Sequence, residues 1–507
     1  MAELSWLDAL AARDPGEVLL ASPRRDWQVG EARAEIAGLC EPLAASRVVG
    51  VLADNGPPWV LADLACQSAG CVHLPLPDFF SAAQLHHALE SSGADTVLTD
   101  RPERIGALDL DFAITGRWQG MSWMRRVAKP AVLPAGTAKI SFTSGSTGTP
   151  KGVCLSAAGL LDTARAVEQR LTDLPLSRHL AVLPLALLLE NVAGVYAPLL
   201  RGIPVHLPPL AAVGWREGGA FDPARLQHAV AEAQAGTLVL VPELLKAWML
   251  YLGQKREEQA PASLRFVAVG GARVAPALLR GARAADIPAY QGYGLTEAGS
   301  VVALNRPGDE GEGVGRPLAH ARLSLVAGEL RVETRAFLGY AGAVSGAAAT
   351  AAGAARDAVP PTGQAFPTGD LAAIDTSGHL HLHGRRTNLL ITSFGRNVSP
   401  EWVEAALLAE PEIAQALVTG DGQPAVSAVI VPAPGADERA VAAAVARANA
   451  GLPNYARIGG YLLSEPFTVR NGLATGNGRP RRERIIDHHA AAIAALHMSE
   501  VPEDAFL

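Results

Sequence analysis

Thr143-Ser144-Gly145-Ser146-Thr147-Gly148-Thr149-Pro150-Lys151-Gly152 is the most informative stretch of the chain, and apolar, strand-like segments stand on both sides of it, at 140–142 and 153–155. Its glycines allow positive φ and let successive backbone N–H groups face one side. The hydroxyls add hydrogen-bond donors, and Lys151 adds a mobile positive charge. This combination predicts a loop that holds phosphate oxygens. The spacing is not that of a Walker A loop, and a strand rather than a helix follows. A simple turn between two strands is the alternative.

Composition limits the classes of protein to which the chain can belong. A length of 507 residues is too great for a single core, so we expect two or three domains. Charged residues make up 18% and the net charge is −7, without the basic stripe of a nucleic-acid-binding protein. The four cysteines lack metal-ligand spacing, which favours buried thiols in a reducing compartment.

No segment of the sequence predicts a membrane protein or a secreted one. The most apolar stretch, 180–189, ends at Glu190 and is too short to span a bilayer. The first residues show no secretion signal. We therefore expect a cytoplasmic protein without a transmembrane segment.

Strand and helix signals alternate along the first two-thirds of the chain. Buried strands are predicted at 48–52, 72–76, 96–98, 237–241 and 265–269, and helices at 57–70, after Ser156 and after Pro242. Such alternation is typical of the α/β class, with layers of helices on largely parallel sheets.

The pattern changes near residue 343. A stretch of small residues, 343–355, precedes a hairpin at 371–383, and Gly384 interrupts the pattern. Beyond it the chain predicts a compact α+β unit, with a helix capped by Ser399 and another at 437–449. We therefore predict a large domain over residues 1–384 and a small C-terminal domain over 385–507.

Three further motifs come in order along the chain: Gly270-Gly271-Ala272, Tyr293-Gly294-Leu295-Thr296-Glu297 and Thr368-Gly369-Asp370. The first closes a predicted strand, the second follows one, and the third is expected to place a carboxylate after a glycine turn. A glycine pair lets the backbone approach a flat ring, and a tyrosine ring can stack on a purine. A carboxylate can bind Mg²⁺ or accept hydrogen bonds from two sugar hydroxyls. Each motif alone also fits an ordinary turn.

Together with the phosphate loop, these motifs resemble the adenylate-forming (AMP-binding) superfamily, and most of all its long-chain acyl-CoA synthetases. The resemblance extends from about Asp54 to Arg482 and implies that the small domain is a lid, which swings on a hinge at Asn388. It implies that Thr296, Glu297, Lys151 and Arg479 are catalytic and that Glu297 binds Mg²⁺. The nucleotide-binding residues that it implies are Thr143, Ser144, Gly145, Ser146, Thr147, Gly148, Gly270, Gly271, Ala272, Tyr293, Gly294, Asp370 and Arg385.

The resemblance also implies the reaction. A carboxylic acid and ATP would form an acyl-adenylate, and a thiol would then take the acyl group. That thiol is coenzyme A or, alternatively, the phosphopantetheine of an acyl carrier protein. Leu183-Pro184-Leu185-Ala186 resembles the start of the substrate-pocket helix, so Leu187, Leu188 and Val192 would line a pocket for a fatty or other hydrophobic acid. Ordinary core packing is the alternative for these three side chains.

The main departure from the family pattern is Arg479, which stands where the resemblance expects a lysine. A planar guanidinium and a compact ammonium are not interchangeable at a tight charge-stabilising site. Arg479 could replace the lysine with altered geometry, or adenylation could be slow and another step dominate. In a third reading the protein binds nucleotide or acyl group without efficient turnover.

Overall fold

The computed structural model describes residues 6–143, 150–216, 221–255, 258–309, 313–342, 364–475 and 478–498. Its helices are α1 (Trp6–Ala11), α2 (Val29–Leu43), α3 (Pro57–Ala69), α4 (Ala82–Ser92), α5 (Pro102–Gly106), α6 (Ala157–Arg170), α7 (Ala197–Arg201), α8 (Pro223–Ala233), α9 (Pro242–Gln254), α10 (Pro276–Ala284), α11 (Pro400–Leu408), α12 (Glu438–Ala450), α13 (Arg482–His488) and α14 (Ala490–Met498). A π-helical segment, Glu190–Tyr196, leads into α7, and short 3₁₀ turns span Leu210–Val213, Thr296–Ala298 and Asn454–Ala456.

The strands are β1 (Val18–Ala21), β2 (Trp27–Gln28), β3 (Val48–Leu52), β4 (Val72–Pro75), β5 (Thr96–Thr99), β6 (Ala113–Trp118), β7 (Met121–Arg125), β8 (Thr137–Thr143), β9 (Lys151–Ser156), β10 (His179–Leu180), β11 (Val205–His206), β12 (Thr237–Leu240), β13 (Phe266–Val269), β14 (Ala289–Leu295), β15 (Ser300–Leu304), β16 (Arg316–Pro317), β17 (Arg322–Val326), β18 (Glu329–Glu333), β19 (Phe337–Tyr340), β20 (Phe366–Ile374), β21 (Leu380–Arg385), β22 (Leu390–Ile391), β23 (Asn397–Val398), β24 (Ile413–Thr419), β25 (Val426–Pro432) and β26 (Ile458–Leu463).

Two large mixed sheets form the body of the molecule. Within the described residues, one has the order β16-β15-β14-β13-β12-β10-β11-β1-β2 and the other β19-β9-β8-β4-β3-β5-β7-β6. Their centres are parallel, as at β12-β13-β14 and β4-β3-β5, whereas the margins are antiparallel, as at β8-β9 and β14-β15. The expectation of largely parallel sheets therefore holds only for the centres. One reason is connection length, because a short connection such as that between β14 and β15 permits only antiparallel pairing.

Local sequence signals set the ends of several helices. The Ser156 hydroxyl accepts a hydrogen bond from the Gly159 amide and so caps α6. In α3, Pro57 occupies the first turn, and Gly70 ends the helix in the left-handed region at φ 73°. The largest cluster of buried apolar side chains joins both large sheets through α2, α3 and α6.

The C-terminal part has a core of its own. Strands β24-β25-β26 form a three-stranded sheet, and α11 and α12 pack on it through side chains that include Val403, Leu407, Val441 and Val445. An antiparallel sheet, β17-β18-β20-β21, lies before it in the chain. The expected α/β architecture with a large N-terminal and a small C-terminal domain is confirmed. We call the part of the chain up to the end of β21 the large lobe and the part from β22 onward the small lobe. None of the described helices is both long and apolar enough to cross a membrane.

Candidate functional site

A cleft of about 3670 Å³ lies between the two lobes. Its walls come from the chain that follows β12 and β13, from β14, from β20 and β21, and from the small lobe. Most of the residues singled out in the sequence line this one cleft: Thr143, Lys151, Leu187, Leu188, Gly270, Gly271, Ala272, Tyr293, Gly294, Thr296, Glu297, Asp370, Arg385, Asn388 and Arg479. Ser144, Gly145, Ser146, Thr147 and Gly148 lie outside the described residues.

Asp370 is the centre of a polar cluster on one wall of the cleft. The Tyr293 hydroxyl donates to Asp370 Oδ2 at 2.6 Å, and Arg385 Nε lies 2.8 Å from Asp370 Oδ1. Asp370 and Arg385 are cross-strand partners on β20 and β21. Burial raises the pKa of Asp370, although Arg385 and Tyr293 act to lower it. The carboxylate is therefore held in one orientation at a site where water is scarce.

The sequence motif around Asp370 does not form the glycine turn that we expected. Gly369 has a φ of 77°, but Asp370 lies within β20, and Tyr293 lies within β14. The backbone of both residues is therefore held by the hydrogen bonds of a sheet and does not lie in a loop.

Tyr340 lies close to both Glu297 and Lys151. The Tyr340 hydroxyl donates to Glu297 Oε1 at 3.1 Å, and Lys151 Nζ lies 5.6 Å from the centre of the Tyr340 ring. Sequence reasoning missed Tyr340, because its place is set by the long-range pairing of β19 with β9, where Tyr340 is opposite Val153. No local pattern could have found it.

Arg479 reaches the large lobe from the small one. Its Nη2 donates to the Gly271 carbonyl oxygen at 2.6 Å, just after β13, where Gly271 has a φ of 84°. The Thr475 amide donates to the Arg479 carbonyl oxygen at 2.8 Å, and this closes the turn that presents the guanidinium. The position singled out as a departure from the family pattern thus bridges the lobes at the cleft.

The acyl-pocket expectation is met for only part of the helix. Leu187 and Leu188 line the cleft, and so do Leu189 and Ala193. Val192 is fully buried in the core and is not among the lining residues. Val192 lies in the π-helical segment Glu190–Tyr196, and its side chain packs in the largest apolar core cluster. We therefore leave Val192 out of the pocket.

Asn388 lies between the lobes, after β21 and before β22. Its Nδ2 donates to Glu401 Oε1 at 2.6 Å, in the first turn of α11. Ser399 precedes that helix, but its hydroxyl donates to Glu401 Oε2 at 3.0 Å and does not cap the helix.

Magnesium fits the site only together with a nucleotide. Among the described residues, no group of three or more His, Cys, Asp or Glu side chains could hold a metal. Mg²⁺ typically uses one or two carboxylates together with substrate phosphates, and Glu297 at the cleft wall meets that requirement.

Comparison with known proteins identifies relatives along nearly the whole chain. The sequence profile of the AMP-binding enzyme family matches residues 37–334, and that of the AMP-binding enzyme C-terminal domain matches residues 387–500. A long-chain-fatty-acid–CoA ligase of Mycobacterium bovis is 26% identical, over 87% of this chain and 86% of the relative. An indoleacetate–CoA ligase of Aromatoleum aromaticum is 28% identical, over 82% and 85% of the two chains.

A solved structure shows the same fold. The o-succinylbenzoate coenzyme A synthetase of Bacillus subtilis, in complex with ATP and a magnesium ion, superposes with a TM-score of 0.74. The match covers 95% of this chain and 99% of that structure, at 21% sequence identity.

Proposed function

This chain belongs to the AMP-binding enzyme family, and from that premise we propose that it activates a hydrophobic carboxylic acid with ATP and passes the acyl group to coenzyme A. One observation carries the proposal. Groups suited to ribose, phosphate and adenine, which are far apart in the sequence, line a single cleft between two lobes. We retain residues 1–384 and 385–507 as the two proposed domains.

Asp370 is the proposed ribose ligand. Tyr293 and Arg385 each contact one of its oxygens, and each oxygen keeps a lone pair for a sugar hydroxyl. The backbone at Gly270–Ala272 and the ring of Tyr293 would enclose the adenine. Because the carboxylate is already oriented, binding the ribose costs little reorganisation.

The phosphates would lie between Lys151 and Glu297. Thr143, the loop from Ser144 to Gly148 and Lys151 would hold the leaving pyrophosphate, and Thr296 would reach the α-phosphate. Magnesium, when bound at Glu297, would supply positive charge that neutralises the phosphate oxygens.

The first half-reaction needs no nucleophilic side chain. An oxygen of the substrate carboxylate attacks the α-phosphorus, the bond to the bridging oxygen of pyrophosphate breaks, and the electron pair leaves with pyrophosphate. Arg479 would lie over the reacting oxygens. In the second half-reaction a thiolate attacks the acyl carbon and AMP leaves. Catalysis is then a matter of positioning and electrostatic stabilisation.

Two observations support the choice of an apolar acid. Leu187, Leu188 and Ala193 contribute apolar surface to the cleft, and relatives of this chain include ligases of fatty acids and of indoleacetate, beside ligases of 2-succinylbenzoate. The one carboxylate of the adjacent π-helical segment, Glu190, is fully buried and accepts a hydrogen bond from the Leu183 amide at 2.9 Å. It is thus not available to pair with the α-amino group of an amino acid.

A second candidate function is nucleotide or acyl binding without turnover. The observation that favours it is the hydrogen bond between Arg479 and Gly271, which uses part of the guanidinium on a backbone carbonyl. A bulky planar cation committed in this way has less freedom to follow the reacting oxygens.

Acid-dependent exchange of labelled pyrophosphate into ATP separates the two candidates. A panel of short to long fatty acids and arylacetic acids should support exchange, and Asp370→Asn should lower it strongly. Asp286→Asn, at an exposed turn with a φ of 59°, is the matched control and should leave it unchanged. Acids that support exchange are then tested for transfer of the acyl group to coenzyme A and to a phosphopantetheinylated carrier protein. Exchange with no acid, despite measurable ATP binding, would reject the ligase and support the second candidate.

A further inference from the structure

Lys246 makes a concentrated set of contacts between the lobes. It lies on α9 in the large lobe, and its Nζ donates to the carbonyl oxygens of Leu408, Glu410 and Ile413 in the small lobe, at 2.6, 2.6 and 2.7 Å. An ammonium group has three N–H donors, so each of them finds an acceptor. The side chain is partly buried at the rim of the cleft.

The acceptors form a carbonyl cup, by which we mean residues 408–413: Leu408 ends α11, Glu410 follows it and Ile413 begins β24. The Leu408 carbonyl is among the last of its helix, and such carbonyls lack intrahelical partners and carry partial negative charge. The side chains of Glu410 and Glu412, two residues of the cup, both pair with Arg447, at 2.6 Å each. Arg447 offsets one of these two negative charges within the small lobe, and Lys246 binds the carbonyl oxygens rather than the carboxylates.

Helix α9, which carries Lys246, also lies near Arg479. Glu243 lies in the first turn of α9, three residues before Lys246, and it is close enough to Arg479 for their charges to interact. Arg479 in turn donates to Gly271. One end of α9 therefore binds the small lobe through Lys246 and also lies near Arg479, and both residues border the cleft.

We propose that Lys246 is a positioning residue for the adenylation half-reaction: it holds the small lobe in the orientation that brings Arg479 to Gly271. The inference rests on the proposed function, since it concerns the step in which Arg479 takes part. If the small lobe turns about Asn388 for thiol transfer, the ammonium must leave the carbonyl cup. Lys246 would then favour the first orientation over the second.

Several kinds of interaction set the strength of this contact. Hydrogen bonds from a charged donor are stronger than those from a neutral donor. The cost of removing the ammonium group from water offsets part of this stabilisation. Burial lowers the pKa of Lys246 to about 8, while Glu410, Glu412 and Glu243 act to raise it. The ammonium thus remains the main form at neutral pH. We expect a net bias of about tenfold between the two orientations.

The kinetic test uses Lys246→Met, which keeps the aliphatic stem and removes the donors. Acid-dependent pyrophosphate exchange should fall about two- to tenfold, whereas thiol transfer from a preformed acyl-adenylate should stay equal or become faster. Lys255→Met is the matched control, since it removes the same charge from the exposed end of α9, and it should change neither rate. An equal fall in both half-reactions would indicate a merely structural role and overturn the proposal.

A rescue experiment covers the case in which the methionine variant folds poorly. Lys246→Cys treated with bromoethylamine regains an ammonium group at nearly the original position, and exchange should recover. Wild-type protein treated in the same way controls for the native thiols, of which Cys66, Cys71 and Cys154 are buried. If the modified protein folds and exchange fails to recover, the proposal is wrong.

A distance measurement reads the lobe orientation without any activity. Spin labels at Gln254→Cys and Arg439→Cys, exposed positions on the large and small lobes, should give one narrow distance distribution when Lys246 is present. Adding Lys246→Met should broaden it or add a second distance. Identical distributions would overturn the positioning role. If the distributions differ but wild type shows no exchange, the contact is real and the proposed function fails.

Discussion

Lys139 is fully buried on β8, and its charge is matched by a polar network. Its Nζ donates to Asp63 Oδ2 at 2.9 Å, to Asn191 Oδ1 at 2.5 Å and to the Tyr196 hydroxyl at 2.9 Å, while His73 Nδ1 lies 2.8 Å from Asp63 Oδ1. Burial raises the pKa of Asp63, but His73 and Lys139 outweigh it and hold that pKa far below its usual value. The network joins β8 to α3 and to the π-helical segment Glu190–Tyr196.

Removing one partner should therefore be costly. Lys139→Met leaves the buried Asp63 carboxylate without its ammonium partner, and we expect it to lower the free energy of unfolding by about 3–5 kcal/mol. Urea denaturation at neutral pH measures this. The double variant Lys139→Met/Asp63→Leu should recover part of the loss, because no charge then stays behind. A single variant as stable as wild type would show that the pair contributes nothing.

His320 predicts a dependence of stability on pH. Burial lowers its pKa to about 4, and within the described residues neither ring nitrogen has a hydrogen-bond partner. The folded protein thus takes up this proton less readily than the unfolded chain, whose histidine titrates near 6.5. The stability that results is present above about pH 6.5 and is lost progressively as the pH falls toward 4.

Thermal unfolding at pH 7 and pH 5 tests this assignment. The wild-type melting temperature should fall between the two values, and the fall should be smaller for His320→Leu. The exposed His228 offers a matched variant, His228→Leu, which should keep the wild-type difference. An undiminished fall in the His320 variant would assign the pH dependence to other groups.

At the scale of the element, the π-helical segment Glu190–Tyr196 depends on one glycine. A Cβ on Gly194 would lie 2.0 Å from Glu190 Oε1 and 2.6 Å from His179 Nε2. These atoms cannot move freely, because Glu190 Oε1 is 2.8 Å from His179 Nε2 and the other carboxylate oxygen binds the Leu183 amide. The close approach of this carboxylate therefore excludes a larger residue.

Gly194→Ala should lower the free energy of unfolding by about 1–3 kcal/mol, as overpacking of a core does. It should also raise the KM for the acid, since Leu188 and Ala193 on the same helix line the cleft. Chemical denaturation and steady-state kinetics measure the two effects. Gly253→Ala in α9, where a Cβ meets nothing within 4 Å, is the control and should be neutral or stabilising.

Elements with purely local signals could be predicted from the sequence. The apolar run at 48–52 is β3, and the cap at Ser156 and the prolines at 57 and 242 mark helix starts where the structure has them. The sequence left open whether Val192 lines the pocket or packs in the core, and the structure buries it completely, because its surroundings depend on long-range packing. The antiparallel margins of the sheets depend on which strands meet, and local propensity does not contain that information.

At the scale of the whole molecule, the cleft is an assembly of distant parts. Motif chemistry predicted Asp370, Tyr293 and Arg479 as site residues, and the structure brings them to one cavity. Motif chemistry could not predict Tyr340 or Lys246, because a tyrosine at a strand end and a lysine on an amphipathic helix look like ordinary surface residues. Their contacts arise only when β19 pairs with β9 and when the small lobe docks on α9.

The most direct test of the account is a calorimetric titration with a non-hydrolysable acyl-sulfamoyl adenosine that carries the acyl chain of an acid active in exchange. The ligand should bind wild type at least about a hundredfold more tightly than AMP, since it fills the nucleotide and acyl parts of the cleft together. Asp370→Asn should weaken binding by about tenfold or more, through the ribose. Equal affinity for AMP and the acyl analogue, or binding that ignores Asp370, would contradict the claim that this cleft joins a nucleotide to an acid.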